Sequence, residues 1–146
     1  KMTSGFGLVK RLALGADLCS SARAMMMALG CIQARKCNSN VCPVGVATQD
    51  KKLYGALVPE EKSKRVFNYH QNTVDSACQI MGAMGLESSK ELRPWHLMRR
   101  IEAYEIRNFS EIYEYIETGS LLQKDKPQSY ARACEAARSD SFTITN

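Results

Sequence analysis

Three cysteines spaced C-x5-C-x4-C constrain the fold of this chain more than any other feature. They are Cys31, Cys37 and Cys42, set in the stretch GCIQARKCNSNVCPVGVATQD. Thiols so spaced reach a common centre only if the backbone between them turns back on itself. Asn38, Ser39, Asn40, Pro43 and Gly45 are the residue types that build such turns: they tolerate left-handed backbone, preset φ, or bond to their own main chain. A loop with three soft ligands and little apolar content reads as a metal or cluster site, or as a disulfide knot.

The spacing leaves these readings open. Structural zinc sites usually bring in ligands as C-x2–4-C pairs with a fourth Cys or His. Here there is no C-x-x-C, and His70 and His96 lie far along the chain. A four-thiolate iron–sulfur cluster needs one more ligand than the loop offers; a cluster with three protein-bound irons matches the count. Disulfides belong to oxidising compartments. The chain shows no signal-peptide pattern, so reduced thiols in a cytoplasmic setting are expected. Cys19, Cys78 and Cys134 stand apart and read as small buried hydrophobes.

Composition narrows the function classes. The chain of 146 residues is 45% hydrophobic and 24% charged, with a formal charge of +5, which permits a packed core. Lys and Arg are interleaved with Glu, and no aromatic-plus-basic stripe suits single-stranded nucleic acid. No apolar run approaches the ~20 residues of a membrane helix.

Hydrophobic periodicity orders the chain. A helix is expected over 4–14, capped by Ser4, burying Leu8, Val9 and Leu12, and stopped by Gly15. Residues 16–20 read as a buried strand of a parallel sheet, and 22–31 as a second helix, with Met25, Met26 and Met27 as adaptable core filler. Helix–strand–helix is the pattern that closes an α/β barrel. A lone strand cannot satisfy its own backbone, so partners are implied. In the loop Ser20-Ser21-Ala22-Arg23, small residues let backbone N–H groups approach a phosphate, and Arg23 can add a bidentate contact. The alternative is N-capping by the serines and a surface arginine. Arg35 and Lys36 can offset thiolate charge or stay solvated.

Downstream, Asp50 caps a turn over 51–57, and the clearest helix runs over 60–85. It carries Val66, His70, Val74, Ala77, Met81 and Met84 on one face and Gly85 at its end. His70 and His96 read as structural. Ser88 and Glu91 form a capping pattern. Pro94 opens a helix that sets Trp95, His96 and Met98 against the long one. Ser110 opens another helix, with Ile112, Tyr113 and Ile116 inward and Gly119 as its stop. YARACEAAR is helix-compatible, and residues 139–146 are expected to fray or to extend along a neighbour. The portion from about residue 60 is expected to hold its own core, while residues 1–30 depend on partners.

The runs ALGADLCSSARAMMMALGCIQARKCNSNVCPVGVATQD, ELRPWHLMRRI and YIETGSLL together resemble the glutamate synthase family. More narrowly, they are similar to its short FMN-binding, single-subunit-type branch, over most of residues 1–125. The resemblance implies a mostly α chain that is the C-terminal fragment of an FMN-binding (β/α)8 TIM barrel, its last helix–strand–helix unit. Residues 1–30 would end the barrel, 31–50 would form the cysteine loop and 51–146 a helical extension. A complete barrel takes ~250 residues, so the remainder is an implied partner. By the same resemblance, Cys31, Cys37 and Cys42 hold a [3Fe-4S] cluster beside the flavin. Ser20, Ser21, Ala22 and Arg23 lie at the FMN phosphate, with Ala22 where a Gly is common. Asn38 stands where larger members carry a His, which bears on hydrogen bonding to the cluster. The implied activity is formation of L-glutamate from 2-oxoglutarate and ammonia or glutamine nitrogen. Electrons would come from a ferredoxin or an NADPH-linked partner. Neither nucleic acid nor membrane is implied, and no residue here is named as acid or base. Two alternatives share these residues: an N-methylglutamate synthase-like enzyme, and a non-catalytic helical assembly module with a structural metal loop.

Overall fold

The computed structural model describes residues 2–141. The first helix, α1 (Gly5–Ala13), starts where Ser4 turns extended and its Oγ accepts the Gly7 N–H at 3.2 Å. That bond satisfies one of the unpaired donors of the first turn. Helix α2 (Arg23–Leu29) follows, then the cysteine loop, the single turn α3 (Lys51–Tyr54) and the long helix α4 (Pro59–Ala83). Asp50 caps α3 through the Lys52 N–H at 2.9 Å. Pro59 opens α4, where an N–H has no helical partner, and Glu60 and Glu61 face the positive end of the helix dipole.

Helix α4 is the spine, with α1 and α2 both packed on it. The core joins Val9 and Ala13 of α1, Ala77 of α4, and Leu92 and Leu97 of the following segment. Leu8, Leu12, Ile80, Met81, Met84 and Phe109 close around them. Gly5 sets the closeness of α1 and α4: a Cβ there would stand 2.6 Å from the Ala77 backbone nitrogen. Thus residues 1–30 share one core with the region after residue 60, rather than leaving it to stand alone.

After α4 the chain makes 3₁₀ turns at Ser89–Glu91 and Pro94–His96, then an antiparallel ribbon of β1 (Met98–Arg100) and β2 (Ile106–Asn108). Its register pairs Met98 with Asn108, Arg99 with Arg107 and Arg100 with Ile106. A one-turn helix, α5 (Phe109–Ile112), a third 3₁₀ turn at Ser120–Leu122 and α6 (Gln128–Ala136) complete the elements among the described residues. Among the described residues the chain is mostly helical, with this one small sheet. No helix among them is long and apolar enough to cross a membrane.

Several expectations are corrected. No strand forms over residues 16–20, and Leu18 is 90% exposed. Among the described residues no other strand lies there to take up its backbone groups, and an unpaired strand has no ladder to hold it. His70 and Cys78 are exposed. Pro94 yields one 3₁₀ turn instead of a helix, and Trp95 and Met98 point outward, 54% and 68% exposed. The buried anchors there are Leu92 and Leu97. Asn108, not Ser110, caps α5, and the helix stops at Ile112 because Tyr113 is extended. Tyr113 is therefore exposed and Phe109 is the inward ring. Of the tail expected to fray, residues 142–146 lie outside the described residues.

Candidate functional site

The first thiol leaves α2 from a fixed turn. Gly30 takes left-handed backbone, φ 111°, which an L side chain resists. The Gly30 N–H reaches the Met27 carbonyl at 2.9 Å and the Cys31 N–H the Met26 carbonyl at 3.0 Å, the paired bonds of a Schellman motif. Cys31 is thereby tied to the helix end, half-buried, and its Sγ accepts the Gln33 N–H at 3.4 Å. Two cations of α4 stand by this turn. A Cβ on Gly30 would lie 3.7 Å from Lys62 Nζ and 4.0 Å from Arg65 Nη1.

The loop then bends through left-handed Gln33, Arg35 and Asn40. Asn40 closes it. Its Oδ1 accepts the Gln49 N–H at 2.7 Å, and its carbonyl accepts the Thr48 hydroxyl at 2.6 Å. The turn-forming types around Asn40 signalled this closure in sequence; its partners Thr48 and Gln49 carried no such signal. Cys37 is exposed, in a depression shared with Asn38, Asn40 and Ala47.

Cys42 is the buried thiol, 7% exposed. The backbone N–H groups of Ala47 and Val44, and to a lesser degree Val46 and Gly45, point at its sulfur and hold its pKa below the ordinary thiol value. Burial works against this and is the smaller effect overall. The wrap depends on Gly45, at φ 78°, where a Cβ would meet the Leu53 carbonyl at 2.6 Å. Ala47 both donates to Cys42 and borders the Cys37 depression, so residues 44–47 run between the second and third thiols.

All six cysteines are free thiols. Among the described residues, no three Cys, His, Asp or Glu side chains are gathered closely enough to hold a metal ion. The donor set nonetheless suits a thiophilic group: three thiols on one loop, with amide donors aimed at Cys42 and Cys31. Such amide-to-sulfur bonds favour the thiolate, which is the form that ligates.

The second candidate loop is assembled differently. Ser21 does not cap α2; its Oγ donates to the Met2 carbonyl at 3.2 Å. This joins the loop at Ser20–Arg23 to the segment leading into α1. Ala22 takes helical backbone without a side-chain cap. Ser20, Ala22 and Arg23 are exposed, and Arg23 has no ion pair with a described residue. The Ser20–Arg23 loop and the segment before α1 thus lie side by side, with small residues and the exposed Arg23 at their rim.

Comparison with known proteins places these features in a family. Residues 1–87 match the family model described as the conserved region in glutamate synthase. The glutamate synthase large subunit-like protein YerD of Bacillus subtilis is 42% identical over 101 residues, which is 69% of this chain and 19% of that protein. An archaeal glutamate synthase [NADPH] of Archaeoglobus fulgidus is 34% identical over 86 residues, 59% of this chain and 17% of its own length. The glutamate synthase [NADPH] large chain of Azospirillum brasilense is 28% identical over 133 residues, 91% of this chain and 8% of its own. The chain therefore spans less than a fifth of these relatives. No solved structure matches.

Proposed function

Because this chain belongs to the glutamate synthase family, we propose that it is the C-terminal part of a flavin barrel with its cysteine loop. The enzyme it serves forms L-glutamate from 2-oxoglutarate and ammonia or glutamine nitrogen. Cys31, Cys37 and Cys42 would hold a [3Fe-4S] cluster, and Ser20, Ser21, Ala22 and Arg23 would flank the FMN phosphate. When bound, the flavin supplies hydride transfer and the cluster single-electron transfer.

The cradle of backbone amides around Cys42 carries this reading. It lowers the pKa of the third thiol, which favours the ionised form that iron requires. The Schellman turn fixes where Cys31 starts, and the Asn40 bonds to Thr48 and Gln49 keep the loop short. Cys37, exposed between them, is the thiol that must close inward. Lys62 and Arg65 put positive charge beside an assembly that is otherwise anionic. At the other loop, the Ser21 bond to Met2 brings two backbone segments to one edge, where Arg23 can fork onto a phosphate. The unpaired segment at 16–20, with Leu18 in solvent, is the edge where the remaining barrel strands would add. Residues elsewhere in the enzyme would handle substrate, and a ferredoxin or NADPH-linked partner would deliver electrons in the cytoplasm.

The test is iron and sulfide analysis with EPR on the anaerobically purified intact protein. A three-iron signal is expected, and loss of iron and signal in Cys37→Ser. One zinc without iron would select the structural metal loop instead.

A further inference from the structure

A cleft on the far side of α1 is left without a task by the cysteine loop and the flavin. It lies between the last turn of α1, the ribbon strand β1 and the chain around α5, and is an open depression of about 600 Å³. That volume is within the range of about 300–1,000 Å³ typical of small-molecule sites. Two cations enter it, Lys10 and Arg99, and no acidic side chain lines it. Neither cation has an ion pair with a described residue. Both are held by aromatic groups instead. Lys10 Nζ lies 5.5 Å from the centre of the Phe109 ring, and Arg99 Nη1 donates to the Tyr113 hydroxyl at 3.0 Å. The Phe109 and Tyr113 rings lean together with centres 5.6 Å apart and planes at 39°. Tyr115 and Met98 complete the walls.

This combination selects among ligands. Two cations without carboxylate partners favour an anion, and one Arg99 contact to a neutral hydroxyl leaves most of the guanidinium fork open to phosphate oxygens. Three aromatic side chains and a methionine offer flat, polarisable surface that a bare inorganic anion would not use. A purely apolar ligand would strip water from both cations and give nothing back. We propose that this cleft is a binding site for a nucleoside phosphate, with its phosphates on Lys10 and Arg99 and its base against the tyrosine and phenylalanine rings. The inference stands on the cleft alone and does not depend on the cysteine loop holding a cluster.

The test is a fluorescence titration of the intact protein with N-methylanthraniloyl-ADP, with FMN saturating so that a flavin site contributes nothing. Saturable binding is expected. Replacing both cations, Lys10→Gln with Arg99→Gln, should raise Kd at least about tenfold, as loss of charge-assisted contacts to phosphate requires. Lys64→Gln, an exposed cation of α4, should leave Kd unchanged. If the double variant loses its far-UV circular dichroism, Arg99→Gln alone decides by the same criterion, since Arg99 is exposed. Absence of saturable binding, or a smaller rise in Kd, overturns the proposal. So does displacement of the probe by tripolyphosphate as readily as by ADP, because the rings would then recognise nothing.

Discussion

At the scale of single residues, two glycines on helices make opposite demands. Gly5 lies where α1 crosses α4, and an added Cβ would sit 2.6 Å from both the Ala77 nitrogen and Ser76 Oγ. Backbone cannot step aside as a side-chain tip can, so Gly5→Ala should destabilise the fold by about 1–3 kcal/mol through overpacking. Gly82, inside α4, has nothing within 4 Å of its would-be Cβ. There the same substitution should stabilise by ~0.5–1 kcal/mol through helix propensity alone. Urea unfolding midpoints of the two variants should move in opposite directions, and equal shifts would refute the close crossing. Cys42 adds a pH dependence with a definite sign. Its amide cradle lowers the folded-state pKa, so its ionisation stabilises the fold fully above the ordinary thiol pKa. That contribution is lost as pH falls through the lowered value. With chelator and reductant present, the stability difference between wild type and Cys42→Ser should therefore grow as pH rises towards the ordinary thiol pKa. A flat difference would mean the amides do not act on the thiolate.

At the scale of elements, local signals decide which parts of the chain can be read without coordinates. Helices α1 and α4 end within a residue or two of their sequence-derived limits, because Ser4 and Pro59 at their starts and the apolar stripes fix them locally. The stretch over 16–20 carries the apolar composition of a strand, yet a strand needs a neighbour, and composition says nothing of whether one is present. The ribbon was missed for the converse reason. Met98–Arg100 and Ile106–Asn108 are three residues each, too short for alternation to show, and the pattern of Pro94 followed by Trp95 and Met98 resembles a helix start. The cap of α5 is Asn108, two residues before Ser110, where the sequence suggests the helix opens. Asn108 Oδ1 accepts the Glu111 N–H at 3.1 Å while Glu111 Oε2 accepts the Asn108 N–H at 2.7 Å, a reciprocal pair that Ser110, with Tyr113 three residues on, cannot form. Asn108→Ala should cost about 1 kcal/mol, whereas Ser110→Ala should cost less than half as much. Comparable losses from the two would return the cap to Ser110. In the candidate site, the loop's turn residues were legible because turn chemistry is local. The amides over Cys42 and the bond from Ser21 to Met2 were not, because side-chain and backbone partners across a fold leave no periodic trace.

At the scale of the whole molecule, the decisive fact is that the core is not partitioned along the chain. Val9 and Ala13 come from α1, Ala77 from the last third of α4, and Leu92 and Leu97 from beyond its end, and all five meet in one cluster. Helical stripes in the sequence show that a face is buried but not against what, so this sharing leaves no trace in the periodicity. If the cluster is one cooperative unit, opening α1 exposes the Ala77 face of α4, and neither helix can be lost alone at a small fraction of the global free energy. Native-state hydrogen exchange should therefore give the amides of Val9–Ala13 the same opening free energy as those of Ala77–Ala83, each tracking global stability as urea rises. The ribbon should exchange sooner. Its two short strands stand largely in solvent, with Met98 68% and Ile106 56% exposed, and a two-stranded sheet is marginal by itself. Fast, urea-independent exchange in α1 beside slow exchange in α4 would show that the first helix is only leaning on the spine. It would then be the long helix with Leu92 and Leu97 that folds, and α1 would await the rest of a sheet to hold it.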